Sequence, residues 1–312
     1  MKIFTNLDEI RISERTSTAL GNFDGIHAGH TTVFNSALKS AEERGISSIC
    51  FTFSNHPFNF IMNRSEDDPY ALKLICSEED KIRIIRDAGF DYLVNIPFDE
   101  TMMKMRAKAF FDSILMNSLN AASVSVGFNY TYGARAEGTA ETLRTEGENN
   151  GIDVNVQDAV VMDGKVVSST LIRDMISVGN MELTARYLGR PLTFSGTVEH
   201  GKHIGHTLGY PTINLSAPTE RALPPNGVYF TRLETNGRMY NAVTNIGVKP
   251  TIGNFDKDIE THVFDFDQDT YGKKVTVYFD HFSRGEVKFA DRDALHRQIA
   301  EDCEKAVKFR KK

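Results

Sequence analysis

Two histidines flanking a glycine are the first residues of this chain whose type and spacing suggest chemistry. His27 and His30 follow a strand-like run that ends at Leu20 and a turn that contains Gly21 and Gly25. Three residues apart, the imidazoles would lie on one side of the first turn of a helix, where unpaired backbone N–H groups bind anions. Imidazoles beside a phosphate can donate hydrogen bonds to charge that develops when a phosphoanhydride bond breaks. Such pairs also occur by chance, so the motif alone identifies no reaction.

A second candidate phosphate site lies at residues 168–173. Ser168, Ser169 and Thr170 precede a helical stretch, so helix capping accounts for their type and position. Capping is compatible with phosphate binding, because free N–H groups, hydroxyls and the permanently charged fork of Arg173 at one helix start suit a triphosphate.

Two segments that follow predicted strands contain residues suited to contact a planar ligand ring. His56-Pro57 follows the second predicted strand, and aromatic side chains surround Asn129 from Phe128 onward. A turn histidine in a solvated loop and aromatic packing in a core explain the same residues without a ligand.

The second half of the chain contains a glycine-rich stretch at residues 196–215. It suits a loop that binds phosphates through backbone N–H groups, and a glycine-rich hairpin is the structural alternative. Thr212 and Asn214 share one face of an extended segment and offer neutral oxygens to Mg²⁺, which retains several waters. Further along, Glu260 is either a solvated strand residue or the proton acceptor for a hydroxyl that attacks a phosphoryl group.

The elements that must position these residues follow two patterns. Before about residue 185, short strands alternate with helices, which predicts a doubly wound parallel sheet with ligands at the carboxyl ends of its strands. The predicted strands are residues 16–20, 48–53, 92–96 and 124–126, and the predicted helices are residues 31–43, 77–87 and 107–119.

After about residue 190 the pattern changes to short strands rich in Val, Thr, Tyr and Phe. The strands predicted at residues 194–198, 227–233, 239–246, 260–266 and 274–282 are evenly spaced and separated by turns, which indicates a closed antiparallel barrel. Helical spacing over residues 291–307 predicts a terminal helix packed against it. We therefore expect two domains, residues 1–185 and 186–312.

Composition limits the kinds of partner. The chain has 312 residues, 40% hydrophobic and 25% charged, which is enough to bury two cores. Its net charge of -6 argues against a dominant nucleic-acid or anionic-membrane surface and favours a small-molecule partner. The three cysteines are widely spaced without a C-x-x-C pair, so a reducing cytoplasm is favoured over a disulfide framework or a zinc site. The first residues do not have the apolar core of a secretory leader, so we expect no leader. No segment approaches the roughly 18 apolar residues that span a bilayer, so we expect no membrane segment.

Residues 22–30 closely resemble the H-x-G-H signature of the nucleotidyltransferase half of the prokaryotic bifunctional riboflavin kinase/FAD synthetase family. Later segments resemble that family in the expected order. Residues 126–133 resemble V-G-x-[DN]-F-x-F-G, and residues 168–173 match S-S-T-x-[IV]-R. Residues 196–214 resemble the kinase signature that ends in P-T-A-N, and residues 245–253, 259–266 and 271–272 match later barrel segments.

The resemblance implies two reactions with ATP as co-substrate. In the barrel, a riboflavin hydroxyl would attack the γ-phosphate of ATP, with Glu260 as base and Mg²⁺ held through Thr212 and Asn214, to give FMN and ADP. In the parallel-sheet domain, the FMN phosphate would attack the α-phosphate of a second ATP beside His27 and His30, to give FAD and pyrophosphate. The implied partners are riboflavin, FMN, FAD and ATP in the cytoplasm, without nucleic acid or membrane, and the oligomeric state stays open.

The same resemblance implies further contacts in three groups. ATP in the adenylyltransferase site would contact Gly21, Asn22, Phe23, Gly29, Ser168, Ser169, Thr170 and Arg173. The flavin there would contact His56, Pro57, Phe128 and Asn129. ATP in the kinase site would contact Gly201, Lys202, Gly205, His206, Gly209 and Pro211.

Three residues depart from the family pattern. Asn55 stands where the family usually has Pro, His206 where it has Arg, and Ile213 where it has Ala. Histidine lacks the bidentate phosphate contact of arginine, so His206 bears on kinase efficiency more than on the fold. The alternatives are an FAD synthetase without kinase activity, another small-molecule adenylyl- or cytidylyltransferase, and a flavin-binding regulator with two silent sites.

Overall fold

The computed structural model describes residues 1–65, 68–200, 209–248 and 257–311. The chain divides into two compact units, Met1–Ser169 and Thr170–Lys312. This division assigns the two helices before residue 190 to the second unit, whereas the functional boundary after residue 185 stays a prediction. Within the described ranges, no helix is both long and apolar enough to cross a membrane.

The first unit is built on a six-stranded parallel sheet. Its strands are β1 (Lys2–Phe4), β2 (Thr16–Leu20), β3 (Ser47–Phe53), β4 (Tyr92–Ile96), β5 (Ala121–Gly127) and β8 (Asp153–Gln157). Their order is β1-β4-β3-β2-β5-β8, and every pair is parallel. After β2 the chain adds strands first on one side and then on the other, so the carboxyl end of β2 is the switch point at which such sheets bind ligands. The predicted doubly wound sheet is confirmed.

Helices cover both faces of this sheet, and every residue of β2 is buried. The helices are α1 (Ala28–Arg44), α2 (Pro57–Ile61), α3 (Glu78–Asp87), α4 (Glu100–Lys104), α5 (Ala107–Ala109) and α6 (Ala140–Asn150), with a π-helix at Phe110–Ser118 that continues α5. Two small hairpins complete the unit: β6 (Thr131–Tyr132) with β7 (Gly138–Thr139), and β9 (Val161–Met162) with β10 (Lys165–Val166). Neighbouring residues of one strand point into different apolar clusters, as Leu20 and Ala19 do, which explains the near-continuous apolar strands.

The second unit contains a six-stranded antiparallel sheet. It comprises α7 (Ser169–Ser177), α8 (Met181–Leu188), β11 (Leu192–Thr197), β12 (Thr212–Ser216), β13 (Gly227–Thr235), β14 (Arg238–Val248), β15 (Lys257–Val263), β16 (Lys274–Arg284) and α9 (Arg292–Arg310), although Ser169 itself closes the first unit. The strand order is β11-β16-β13-β14-β15-β12. An antiparallel bridge, in which Glu199 N–H donates to Asn214 O at 3.0 Å, joins the two ends of the sheet as a barrel requires.

The terminal helix α9 packs against this sheet through ion pairs as well as apolar side chains. Arg284 donates to the buried carboxylate of Asp302 on α9, with Nη2 to Oδ2 at 2.6 Å. Asp280 on β16 accepts from Arg232 of β13 and from Arg310 in the last turn of α9. The predicted barrel with a terminal helix is therefore confirmed.

Several element bounds differ from the predictions for local reasons. Helix α1 begins three residues earlier than predicted because a histidine, rather than the usual Ser, Thr, Asp or Asn, caps it. Strand β15 ends at Val263 instead of residue 266, since Asp265 has a positive φ of 52° that turns the chain. The helix predicted at residues 107–119 is mostly a π-helix, which apolar periodicity does not distinguish from an α-helix.

Candidate active sites

The loop between β2 and α1 reverses the chain through three residues with positive φ. These are Phe23 at 49°, Gly25 at 84° and Ile26 at 43°. A residue with a side chain pays about 1–2 kcal/mol for this conformation. At Gly25 a Cβ would lie 3.0 Å from the Ile75 side chain, so a side chain here would crowd Ile75 as well as strain the backbone. Backbone strain of this kind is concentrated at functional sites.

His27 is the N-cap of α1, directly after this loop. Its Nδ1 accepts the N–H of Gly29 at 3.1 Å and that of His30 at 3.3 Å. Because Nδ1 is an acceptor, the proton of the neutral ring lies on Nε2. The ring stacks on that of His30, with centroids 3.7 Å apart and planes at 19°. The loop thus brings two adjacent imidazoles to the carboxyl end of β2.

The cap changes one expectation about anion binding at α1. Sequence reasoning treats the first helical N–H groups as unpaired, but His27 accepts two of them. An anion beside this turn would therefore be bound by the imidazoles more than by these N–H groups. A Cβ on Gly29 would lie 3.1 Å from the His27 ring, so the glycine leaves room for the cap.

The same loop is joined to the carboxyl end of β3. Gly21 N–H donates to Phe51 O at 3.3 Å, and the Thr52 hydroxyl donates to Asn22 O at 3.0 Å. A small cleft beside these contacts is lined by Asn22 and His56, among other residues. The structure therefore brings the predicted phosphate loop and the predicted flavin segment together.

His56 has a local role like that of His27. Its Nδ1 accepts the Phe58 N–H at 3.2 Å and caps α2, whose first residue is Pro57. The preceding Asn55 fixes the turn: its Nδ2 donates to Phe98 O at 3.0 Å and its Oδ1 accepts the Phe98 N–H at 2.6 Å. An amide clasp between Asn55 and the backbone of Phe98 thus holds the turn before His56.

The aromatic segment after β5 divides into an exposed and a packed part. Phe128 is 50% exposed and Asn129 is also exposed, beyond the end of a strand that neighbours β2. Tyr130 and Tyr132 stack on each other at 5.9 Å and belong to the apolar cluster of the sheet. Burial raises the pKa of Tyr130, so its hydroxyl stays neutral. Phe128 and Asn129 fit a ligand wall, and the tyrosines belong to the core.

Ser169, the last residue of the first unit, contacts the histidine loop. Its hydroxyl donates to Asp24 O at 3.0 Å. Ser168 precedes it in the same unit and is half-buried, whereas Thr170 and Arg173 belong to the second compact unit. The structure therefore brings the two serines of the predicted phosphate motif to the first site.

The second candidate site lies on paired strands β12 and β15. Asn214 is directly opposite Glu260, and Thr212 is opposite His262. Because side chains alternate along a strand, these four share one face of the ladder, while Ile213 points to the other face. The ladder register thus places the predicted base beside both predicted metal ligands.

The side-chain oxygen of Asn214 is the feature of this site that suits a cation. It is 6% exposed, and its Nδ2 donates to Thr212 O at 3.3 Å. Its Oδ1 is buried and has no hydrogen-bond partner among the described residues. A buried oxygen without a donor costs about 1–3 kcal/mol, and a hard cation that prefers oxygen ligands would relieve that cost. The residues present therefore fit Mg²⁺.

The residues before β12 link this site to α9. His262 Nδ1 lies 2.9 Å from Pro211 O, and Tyr210 contacts the rings of His262 and of His296 on α9. Gly209 has a positive φ of 80°. The other predicted kinase contacts lie outside the described residues: Gly201, Lys202, Gly205 and His206.

Two buried charged residues of the first site were not predicted from the sequence. Asp24 is 6% exposed and its carboxylate accepts the Ile75 N–H at 2.9 Å. Lys81 is 8% exposed and its Nζ donates to Phe53 O at 2.5 Å. Two sequence signals could have found them. Asp24 belongs to an Asp-Gly turn dipeptide, and Lys81 lies four residues before Ile85, on the buried side of α3.

Comparisons with known proteins match both halves of the chain. The FAD synthetase family model matches residues 9–171, and the riboflavin kinase family model matches residues 188–310. A Streptococcus pneumoniae crystal structure described as a macrolide-efflux protein has a TM-score of 0.88 at 30% identity and covers 97% of each chain. That structure shows the same fold over nearly the whole chain.

Curated relatives extend over both units. The bifunctional riboflavin kinase/FMN adenylyltransferase of Bacillus subtilis is 34% identical over 296 residues, covering 93% of this chain and 91% of that protein. The protein of the same name from Haemophilus influenzae is 31% identical over 300 residues and covers 96% of both chains. With two domain matches and relatives of this extent, the chain belongs to the bifunctional riboflavin kinase/FMN adenylyltransferase family.

Proposed function

We propose that this protein converts riboflavin to FAD in two ATP-dependent steps. The barrel, residues 186–312, phosphorylates riboflavin to FMN, and the parallel-sheet domain, residues 1–185, transfers AMP from ATP to FMN and releases pyrophosphate. The observation that carries this proposal is that each compact unit holds its own site suited to phosphate chemistry: a stacked imidazole pair in one, and Asn214 opposite Glu260 in the other.

In the adenylyltransferase site, the nucleophile is an oxygen of the FMN phosphate. It attacks the α-phosphorus of ATP, the bond to the bridging oxygen of pyrophosphate breaks, and no covalent enzyme intermediate is needed. His27, through Nε2–H, and His30 stabilise charge that develops on the phosphates. Ser168, Ser169 and Arg173 hold the leaving phosphates in line with the attack.

The flavin of FMN lies between the two segments that follow β3 and β5. His56 and Pro57 contact it on one side, and Phe128 and Asn129 on the other. Support for this placement is the exposure of Phe128 and the shared cleft of Asn22 and His56. An exposed aromatic face beside a phosphate site suits a planar ring.

In the kinase site, Glu260 accepts the proton of the ribityl hydroxyl while that oxygen attacks the γ-phosphorus and ADP leaves. Thr212 and Asn214 would hold Mg²⁺, which would supply positive charge to neutralise the ATP phosphates. Support comes from the buried Asn214 Oδ1 and from the strand register that faces Asn214 towards Glu260.

The partners in this proposal are riboflavin, FMN, FAD and ATP, and a cytoplasmic location fits three cysteines that are all free thiols. A nucleic acid or membrane partner forms no part of it.

One experiment separates this function from its alternatives. Purified protein receives Mg²⁺-ATP with riboflavin in one reaction and with FMN in another, and the flavins are separated by chromatography. We expect FAD from both reactions. FAD from FMN alone would identify an FAD synthetase without kinase activity. Flavin binding without any product would instead favour a silent regulator, and turnover of other nucleotides or acceptors would favour a different transferase.

A further inference from the structure

Lys81 is a buried cation at the edge of the adenylyltransferase cleft. It lies in the first turns of α3, is 8% exposed, and lines the cleft together with Asn22, Asp24 and His56. Its Nζ donates to Phe53 O at 2.5 Å. In the part of the chain that the structure describes, Lys81 forms no ion pair.

A lysine at this position is costly if it only fills space. Removing an ammonium from water carries a large free-energy penalty, which a neutral side chain of the same volume would avoid. A hydrogen bond from a charged donor is stronger than one from a neutral donor and offsets part of that penalty. The contact with Phe53 O is therefore the feature of Lys81 that needs an explanation.

Phe53 is the last residue of β3, and the turn that follows carries His56. Ser54 N–H donates to Ile96 O at 2.9 Å, and Asn55 clasps the backbone of Phe98. These contacts fix the turn on the side of β4, and Lys81 fixes its first carbonyl on the side of α3. Together they determine where the His56 ring and Pro57 lie.

The segment that bears Lys81 is also tied to the histidine loop. The Ile75 N–H donates to the Asp24 carboxylate at 2.9 Å, and Ser77 caps α3. Within the first turn of α3, Glu78 accepts from Asn95 of β4 at 2.6 Å. Residues 75–81 therefore connect the loop of the imidazole pair with the turn of His56.

We propose that Lys81 is a positioning residue for FMN in the adenylyltransferase reaction. By holding the Phe53 carbonyl, it places the His56-Pro57 turn, and with it the flavin, at a fixed distance from the imidazole pair. The inference rests on the proposed function of this cleft. Because the turn contacts the flavin rather than ATP, Lys81 acts on FMN affinity and leaves ATP affinity and the chemical step nearly intact.

Lys81→Met tests this role, since methionine has a similar length and no donor. We expect the KM for FMN to rise about tenfold, which is the loss of about one charge-assisted hydrogen bond. The kcat and the KM for ATP are expected to stay within about threefold of wild type. Riboflavin kinase activity of the same preparation should be unchanged, because that site lies in the other unit.

Two further variants serve as controls. Lys81→Arg keeps a charged donor and should restore the KM for FMN to within about threefold of wild type. Lys39→Met removes a lysine whose side chain is 74% exposed on α1 and should leave all constants unchanged. If Lys81→Met has lost its cooperative unfolding transition in urea, Lys81→Leu, which also lacks a donor, replaces it with the same expected rise.

An unchanged KM for FMN in a folded Lys81→Met protein would overturn the positioning role. So would equal losses for FMN, ATP and kinase turnover, because those indicate that Lys81 only supports folding. If wild-type protein forms no FAD from FMN, the proposed function fails, and the role of Lys81 fails with it.

Discussion

The two candidate sites are built in different ways. The first site consists of loops at the carboxyl ends of parallel strands, where positive φ angles at Phe23 and Ile26 and caps by His27 and His56 set the side-chain positions. The second site lies on two paired strands, and the ladder register alone faces Asn214 towards Glu260. A site on loops therefore depends on many separate buried contacts, whereas a site on strands depends on a single register.

The largest effect is expected for Glu260→Ala, which separates the two sites by function. Loss of the base should lower FMN formation from riboflavin by about 10²–10⁴-fold. Adenylylation of supplied FMN should stay within about twofold of wild type, because that site lies in the other unit. Steady-state assays with riboflavin and with FMN measure both rates, and a parallel fall in adenylylation would contradict the division of labour.

His30→Ala is the reciprocal test in the loop site. Removing one imidazole of the stacked pair should lower FAD formation from FMN by about 10²–10³-fold, the effect of losing one donor to developing charge. Riboflavin phosphorylation should be preserved. The same two assays measure this variant, and retained FAD formation at near wild-type rates would remove the imidazole pair from the mechanism.

Asn214→Ala tests whether the buried oxygen binds a cation. The Mg²⁺ concentration for half-maximal kinase activity should rise about tenfold, because one of few oxygen ligands is lost. The free energy of unfolding should change by less than about 1 kcal/mol, since the oxygen has no partner to lose among the described residues. Asn241→Ala, at an exposed position of β14, is the matched control. An unchanged Mg²⁺ titration for Asn214→Ala would exclude it as a ligand.

Gly25→Ala should give the smallest effect and tests the strained loop. The substitution adds a Cβ at a φ of 84° against Ile75, and should cost about 2 kcal/mol of stability and several-fold in FAD formation. Gly45→Ala at the end of α1 has a similar φ of 62° with no atom within 4 Å, so it should cost only about 1 kcal/mol and leave activity unchanged. Urea unfolding and both assays measure the pair, and equal effects at the two positions would show that Gly25 matters only for its backbone angle.

The sequence predicted the elements better than the contacts between them. Apolar periodicity and the change from alternating helices and strands to evenly spaced strands were sufficient for both folds, because they reflect which faces are buried. The cap by His27 was missed because histidine is not among the usual capping residues. Its consequence was the late predicted start of α1.

Contacts between residues far apart in the chain could not be predicted from the sequence, for a different reason. Asn55 and Phe98 are 43 residues apart, and nothing in either segment alone signals the amide clasp between them. In the sequence, Lys81 looks like an ordinary helix lysine, and its contact with the Phe53 carbonyl is visible only in the structure. Such pair contacts depend on the tertiary fold. Periodicity predicts which face of an element is buried, but not which residue of another element it contacts.

The ladder between β12 and β15 also limits how the barrel can change in length. Inserting one residue between Ile213 and Asn214 would put both side chains on one face of the strand and turn the amide away from Glu260. Inserting two would restore the face but move the amide one pair away from Glu260. Length changes in the connecting segments leave this register intact, whereas the spacing from Thr212 to Asn214 has to stay constant for both side chains to lie opposite Glu260 and His262.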